Sequence, residues 1–209
     1  MKQIFILLIA LASLAVAGPY PYTHDGFFLN FALGFGYQGL DYEYDDDDDD
    51  THYEAEASGV AFDLSYRIGG RIAPFTVLHA TVLRITNLTE LEGEITENGK
   101  TESFSTSDYS ASMFLYGIGV TYFLPPYNYY VSGSVGLSLF TLEDEDNEIN
   151  AASSFGLGFQ ILAGKEWWLS ENWGAGVAVA MTYGSADDKD GTGELSAFAI
   201  NFFITVTYN

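Results

Sequence analysis

Gly174-Ala175-Gly176-Val177-Ala178-Val179-Ala180-Met181-Thr182-Tyr183 decides the fold. Ala175, Val177, Val179, Met181 and Tyr183 fall on one side of an extended chain. Gly174, Gly176, Ala178, Ala180 and Thr182 fall on the other. A period of two belongs to a β-strand, whose successive side chains point to opposite faces. Neither face carries a charge, and the two differ chiefly in size.

Working outward, the same pattern recurs. Phe27, Leu29, Phe31, Leu33, Phe35 and Tyr37 oppose Phe28, Asn30, Ala32, Gly34 and Gly36. Val60, Phe62, Leu64, Tyr66 and Ile68 oppose Ala61, Asp63, Ser65 and Arg67. Val131, Val135, Leu137 and Leu139 oppose Ser132, Ser134, Gly136 and Ser138. Eight strands are predicted in this way, over 26–38, 58–68, 74–85, 110–124, 129–142, 154–167, 173–184 and 195–208. Each has at least the roughly nine to eleven residues that a tilted strand needs to cross a bilayer, and several run longer. Tight turns are expected at Gly69-Gly70, at Pro125-Pro126-Tyr127-Asn128 and at Ser170-Glu171-Asn172. The other connections are longer and polar.

One face is large and apolar, and the other is small or polar. A soluble barrel would hide the large face. The inside of an eight-stranded barrel has room only for packed side chains, so the small face fits there and the large face needs lipid. Closure leaves no strand edge unpaired, as hydrocarbon requires. The fold class is therefore all-β, an eight-stranded antiparallel up-and-down transmembrane barrel. Charge follows the same division. The chain holds 7 basic and 29 acidic residues, a net charge of −22, yet 48% of it is hydrophobic. The long connections 39–57, 86–108, 143–152 and 184–194 carry 25 of the 29 acidic residues, offset by Lys100 and Lys189 alone. Such a surface excludes nucleic acid, whose phosphates need cations.

The first residues read as a signal peptide over 1–17. Lys2 supplies the positive start, Ile4 to Leu14 the apolar run and Ala15-Val16-Ala17 the cleavage site before Gly18. The mature chain, 18–209, is then a single barrel domain exported to the outer membrane. Absence of Cys excludes a disulfide framework and a thiolate metal site. Aromatic residues gather where a barrel meets the membrane surface. Trp167, Trp168 and Trp173 flank one short turn, and Tyr122, Tyr127, Tyr129 and Tyr130 flank another.

The last strand sets Phe198, Ile200, Phe202, Ile204, Val206 and Tyr208 on one face. It resembles the C-terminal signal of bacterial outer-membrane barrels, with Asn209 following the aromatic residue that usually ends it. Over nearly its whole length the mature chain resembles the small outer-membrane β-barrels of the OmpA, OmpX and OmpW type. The resemblance implies a Gram-negative cell envelope, extracellular long loops, a surround of outer-membrane lipid and assembly by the barrel-insertion machinery.

Candidate chemistry is sparse. Asp45, Asp46, Asp47, Asp48, Asp49 and Asp50 form an acidic run that, with Glu143, Asp144, Glu145 and Asp146, has the oxygen ligands that loosely held Ca²⁺ or Mg²⁺ prefers. The plainer reading is a solvated acidic loop. Asp188 to Leu195 starts like a calcium-binding loop, but Ala199 stands where a bidentate Glu is needed, so a turn is expected. Asn98-Gly99 predicts a hairpin rising above the membrane. Inside, Asp63, Arg67 and an inward His79 are expected as a polar cluster, either a hydrogen-bonded plug or a proton relay. The faces of 74–85 conflict, because an inward His79 carries Val77, Leu83 and Ile85 inward with it. No Ser–His–acid pattern stands out among His24, His52 and His79, and no cofactor is called for. A non-enzymatic surface barrel is the leading reading. A narrow, porin-like channel for small or apolar solutes is second, and a lipid-modifying enzyme third.

Overall fold

The computed structural model describes residues 23–24, 26–46, 51–87, 91–97, 100–106, 109–144, 149–189 and 193–209. The predicted signal peptide lies outside them. Eleven strands follow one another: β1 (Phe27–Asp46), β2 (Thr51–Ala73), β3 (Thr76–Asn87), β4 (Leu91–Glu97), β5 (Lys100–Thr106), β6 (Tyr109–Leu124), β7 (Tyr129–Asp144), β8 (Ile149–Ala152), β9 (Gly156–Trp168), β10 (Trp173–Asp187) and β11 (Gly193–Tyr208). Eight of them are staves of one antiparallel barrel, in the order β1-β2-β3-β6-β7-β9-β10-β11. The first and last staves pair from Leu29↔Tyr208 to Tyr44↔Gly193, which closes the wall.

The remaining strands extend the wall at one end. β1 and β2 stay paired out to Asp46↔Thr51. β4 continues alongside β2, from Thr51↔Glu97 to Glu56↔Glu92, and pairs back with β5 out to Glu97↔Lys100. This is the hairpin that Asn98-Gly99 predicts, although those two residues fall outside the described ones. The long connections are thus largely ribbon. Outside the bilayer a ladder satisfies its own backbone groups whatever side chains it carries, so polar sequence ends the apolar pattern without ending the strand.

A second difference lies at the opposite end. Gly69 and Gly70 are not a turn. They pair with His79 and Leu78, and the chain reverses at Pro74-Phe75. Phe75 takes a left-handed φ of 62° there. Gly69 is needed for close approach, because a Cβ would run into the Leu78 carbonyl oxygen. The turns at 125–128 and 169–172 stand as expected.

The barrel is inverted relative to a soluble protein. Phe35, Ile118 and Ile204 on its outside are 66, 66 and 67% exposed, whereas Asp63, Ser65 and Gln38 inside are fully buried. An exposed apolar surface of that extent around a polar interior marks a lipid-facing wall. No helix among the described residues is long and apolar enough to cross a membrane.

Candidate functional site

Three layers fill the lumen. Towards the long-connection end lie Leu40, Leu83, Ile85, Met113, Leu115 and Phe140, and towards the short-turn end Phe28, Val77, Phe123, Tyr130, Leu162 and Phe203. Polar residues occupy the levels between. β3 therefore turns its odd positions inward, with Val77, His79, Leu83 and Ile85 all buried. Some inward glycines serve this packing. A Cβ on Gly34 would lie 2.7 Å from the Phe203 ring, and one on Gly184 would lie 2.9 Å from Met113 Sδ. Both are closer than side chains pack, so each glycine is the hollow that a large neighbour fills.

The polar layer holds Asp63, Arg67 and His79, but as three separate sets. Asn201 Nδ2 donates to Asp63 Oδ2 at 2.9 Å. Arg67 Nη1 donates to Asn30 Oδ1 at 3.0 Å, and Nη2 to Gln160 Oε1 at 2.8 Å. His79 Nδ1 and Nε2 each lie 3.0 Å from a hydroxyl, Thr81 and Thr121. Two further hydroxyl pairs, Thr81–Ser134 at 2.9 Å and Thr121–Ser132 at 2.8 Å, carry this chain on to β7. These bonds pin β2 to β1, β9 and β11, and β3 to β6 and β7. Buried polar groups cost free energy unless paired; neutral amides and hydroxyls pair many of these, while Asp63 Oδ1, Arg67 Nε, Ser65 Oγ and the Gln38 amide have no protein partner among the described residues. His79 is buried, with the Phe28 ring 5.9 Å from its own.

At the short-turn end His24 caps the barrel. Its ring stacks on Phe123 with centroids 3.3 Å apart. Its Nδ1 lies 2.7 Å from Asn209 Oδ1, and its Nε2 lies 2.7 Å from Asn128 Oδ1. Sequence reasoning gave His24 no role, because one polar residue outside a strand has no period to betray it. Its partners are 104 and 185 positions away. The residue after the final aromatic is also accounted for. Asn209 is buried, and its backbone N–H donates to the Asn172 carbonyl at 2.9 Å.

The other end is acidic. Register sets Asp187 opposite Glu194, Glu194 opposite Glu43, Glu43 opposite Glu54 and Glu54 opposite Glu94. A second row runs Asp41, Glu56, Glu92. Like charges directly opposite oppose strand pairing. Of the expected cation loops, Asp47, Asp48, Asp49, Asp50 and Asp146 lie outside the described residues, and Asp45, Asp46 and Asp144 are described as strand backbone only. Glu143 is already engaged. Arg84 Nη2 contacts both its carboxylate oxygens, at 2.8 and 2.7 Å, while the guanidinium sits 5.3 Å above the Phe114 ring. No group of three or more acidic, His or Cys side chains among the described residues is arranged to hold a metal. Asp188 N donates to Gly193 O at 2.9 Å, bracketing the turn expected in place of a calcium loop.

No protein-family model and no curated protein matches the sequence. Solved structures do. The outer membrane protease OmpT from Escherichia coli aligns with a TM-score of 0.50 at 10% identity, over 89% of this chain and 97% of its own. Neisserial surface protein A aligns with a TM-score of 0.50 at 12% identity, over 88% of this chain and 99% of its own. This is the fold of the small outer-membrane β-barrels. The likeness at such identities is one of architecture alone.

Proposed function

We propose that this chain is a closed, non-enzymatic barrel of the Gram-negative outer membrane whose working part is its acidic extracellular end. The filled lumen is the observation that carries this reading. Two apolar layers bracket a polar layer that is partly bonded within itself, and neighbouring side chains occupy the space at Gly34, Gly164 and Gly184. A barrel with no through path acts at its surface. The surface it elaborates is the end where strands rise above the lipid band and where Asp41, Glu43, Glu56, Asp187 and Glu194 stand in the ladder. In the orientation shared by outer-membrane barrels, long connections face outward and short turns face the periplasm. Cationic partners are then favoured and anionic ones repelled, over about a Debye length of 8 Å at physiological salt. Divalent cations would relieve the like-charge rows without needing a dedicated site.

Reconstitution tests this. Folded mature protein in planar bilayers should give no single-channel steps, and a polycation such as polylysine should bind its vesicles in a salt-dependent way. Steady conductance would favour a channel, and salt-independent polycation binding would remove the electrostatic reading.

A further inference from the structure

The wall that is closed through the lipid band has a seam beyond it. β3 pairs with β2 as far as Ala61↔Asn87 and with β6 as far as Thr86↔Ser112. Past that level β4 takes the place beside β2, and β5 pairs with β4. Among the described residues no ladder joins β5 to a strand other than β4, so β5 is the edge of the sheet at the acidic end. Pro and bulges are among the devices that keep natural edge strands from taking a partner. β5 has neither: its ladder runs from Leu91↔Thr106 to Glu97↔Lys100 without a shift, and no Pro interrupts it. An edge of this kind offers main-chain donors and acceptors to an extended segment, which joins the sheet as one more strand.

Charge decides which segment. Two rows of carboxylate positions cross the sheet and end on β5. Glu43, Glu54 and Glu94 stand opposite one another in turn, and Glu94 stands opposite Ser103. Asp41, Glu56 and Glu92 do the same, and Glu92 stands opposite Ser105. The rows are two residues apart on every strand, so they share a face. Asp41, Glu43 and Glu56 are exposed, and none of the three is ion-paired among the described residues. Neighbouring strands lie about 4.8 Å apart. A residue added opposite Ser103 or Ser105 therefore faces a row across one short side chain. A long basic side chain there meets the row, whereas a carboxylate would lengthen it, and like charges in line oppose pairing. We propose that the β5 edge takes up an extended basic segment of another polypeptide by strand addition, with Lys or Arg at alternate positions in line with the two rows. This deepens the surface reading, and rests on it, by naming the kind of partner and the edge that receives it.

The test uses mature barrel in nanodiscs of zwitterionic lipid and fluorescence anisotropy of labelled peptides as long as β5. A peptide of alternating Lys and Thr should bind saturably and more tightly as salt falls, and one of alternating Glu and Thr should not bind. Full N-methylation of the Lys–Thr backbone keeps the charge and removes the donors of strand pairing. It should weaken binding by about tenfold or more. Ser103→Lys with Ser105→Lys places cations at the ends of the rows and should cost about tenfold or more. Ser185→Lys with Ser196→Lys adds the same charge beyond Asp41, four strand spacings or about 19 Å from β5. That separation exceeds the Debye length of about 8 Å, so this pair should cost about threefold or less. Circular dichroism checks that both variants fold. At saturation the amides of 102–106 should exchange more slowly while those of β9 hold. Equal affinity of the N-methylated peptide, or wild-type affinity in the folded Ser103→Lys, Ser105→Lys barrel, would overturn the proposal and leave the electrostatic surface reading standing. Failure of polylysine itself to bind would sink the surface reading, and this proposal with it.

Discussion

Glu43→Gln should tighten the ribbon that β1 and β2 build above the membrane. Glu43 stands opposite Glu194 on one side and Glu54 on the other. Each directly opposed pair across a ladder is worth about 0.2–1 kcal/mol, unfavourable for like charges. Removing one carboxylate relieves two such pairs, or about 0.4–2 kcal/mol at low salt. Hydrogen exchange of amides in 39–46 and 51–58 reads this directly, because local opening of a ribbon is reported by its own amides. Their protection should rise about 2- to 30-fold in Glu43→Gln at low ionic strength, since 1.4 kcal/mol is a factor of ten. In 1 M salt the Debye length falls to about 3 Å, and the gain should largely vanish. Amides in the lipid band, such as those of Phe31 to Phe35, should not respond. Unchanged or reduced protection at low salt would refute the like-charge argument. A gain of equal size in high salt would show that the cause is not electrostatic.

Leu115→Ala should cost about 2–5 kcal/mol in urea unfolding from lipid vesicles, because Leu115 is fully buried in the upper apolar layer and leaves a cavity. A cost below 1 kcal/mol would mean that the layer is not packed. Removing the His24 ring with His24→Ala leaves Asn128 and Asn209 without that partner. Exchange at Asn128 and Asn209 should quicken while the mid-barrel amides hold; uniform loss of protection would contradict a local cap. Mass spectrometry of protein exported to the outer membrane should place the mature N-terminus at Gly18, and an uncleaved chain would contradict the signal-peptide reading.

The staves were legible in the sequence because lipid on one side and a packed lumen on the other impose opposite demands on alternate residues. Gly174 to Tyr183 satisfies both demands within β10. The same alternation turns Phe28, Phe123, Phe140 and Phe203 inward, and all four are buried. It also favoured an inward His79, although Val77, Leu83 and Ile85 spoke for the other face. Those three are inward too, since the upper and lower layers of a closed lumen are themselves apolar. Alternation fails where the selecting environment ends. Beyond Gln38 and before Ser58 the strands continue in water, and only the ladder reveals them. Gly69-Gly70 reads as a turn because glycine permits one, but here it answers a close approach by β3. The polar layer was legible in membership and not in wiring. Asp63 and Arg67 share a face four residues apart, yet their partners Asn201, Asn30 and Gln160 come from strands whose alignment is set only by closure.

The central claim is that the lumen is closed, and conductance tests it most directly. Folded wild-type barrel in a planar bilayer should add no current steps above the bare membrane across physiological voltages. Reproducible unitary steps that vanish when the protein is heat-unfolded before insertion would contradict the packed interior and return the function to transport.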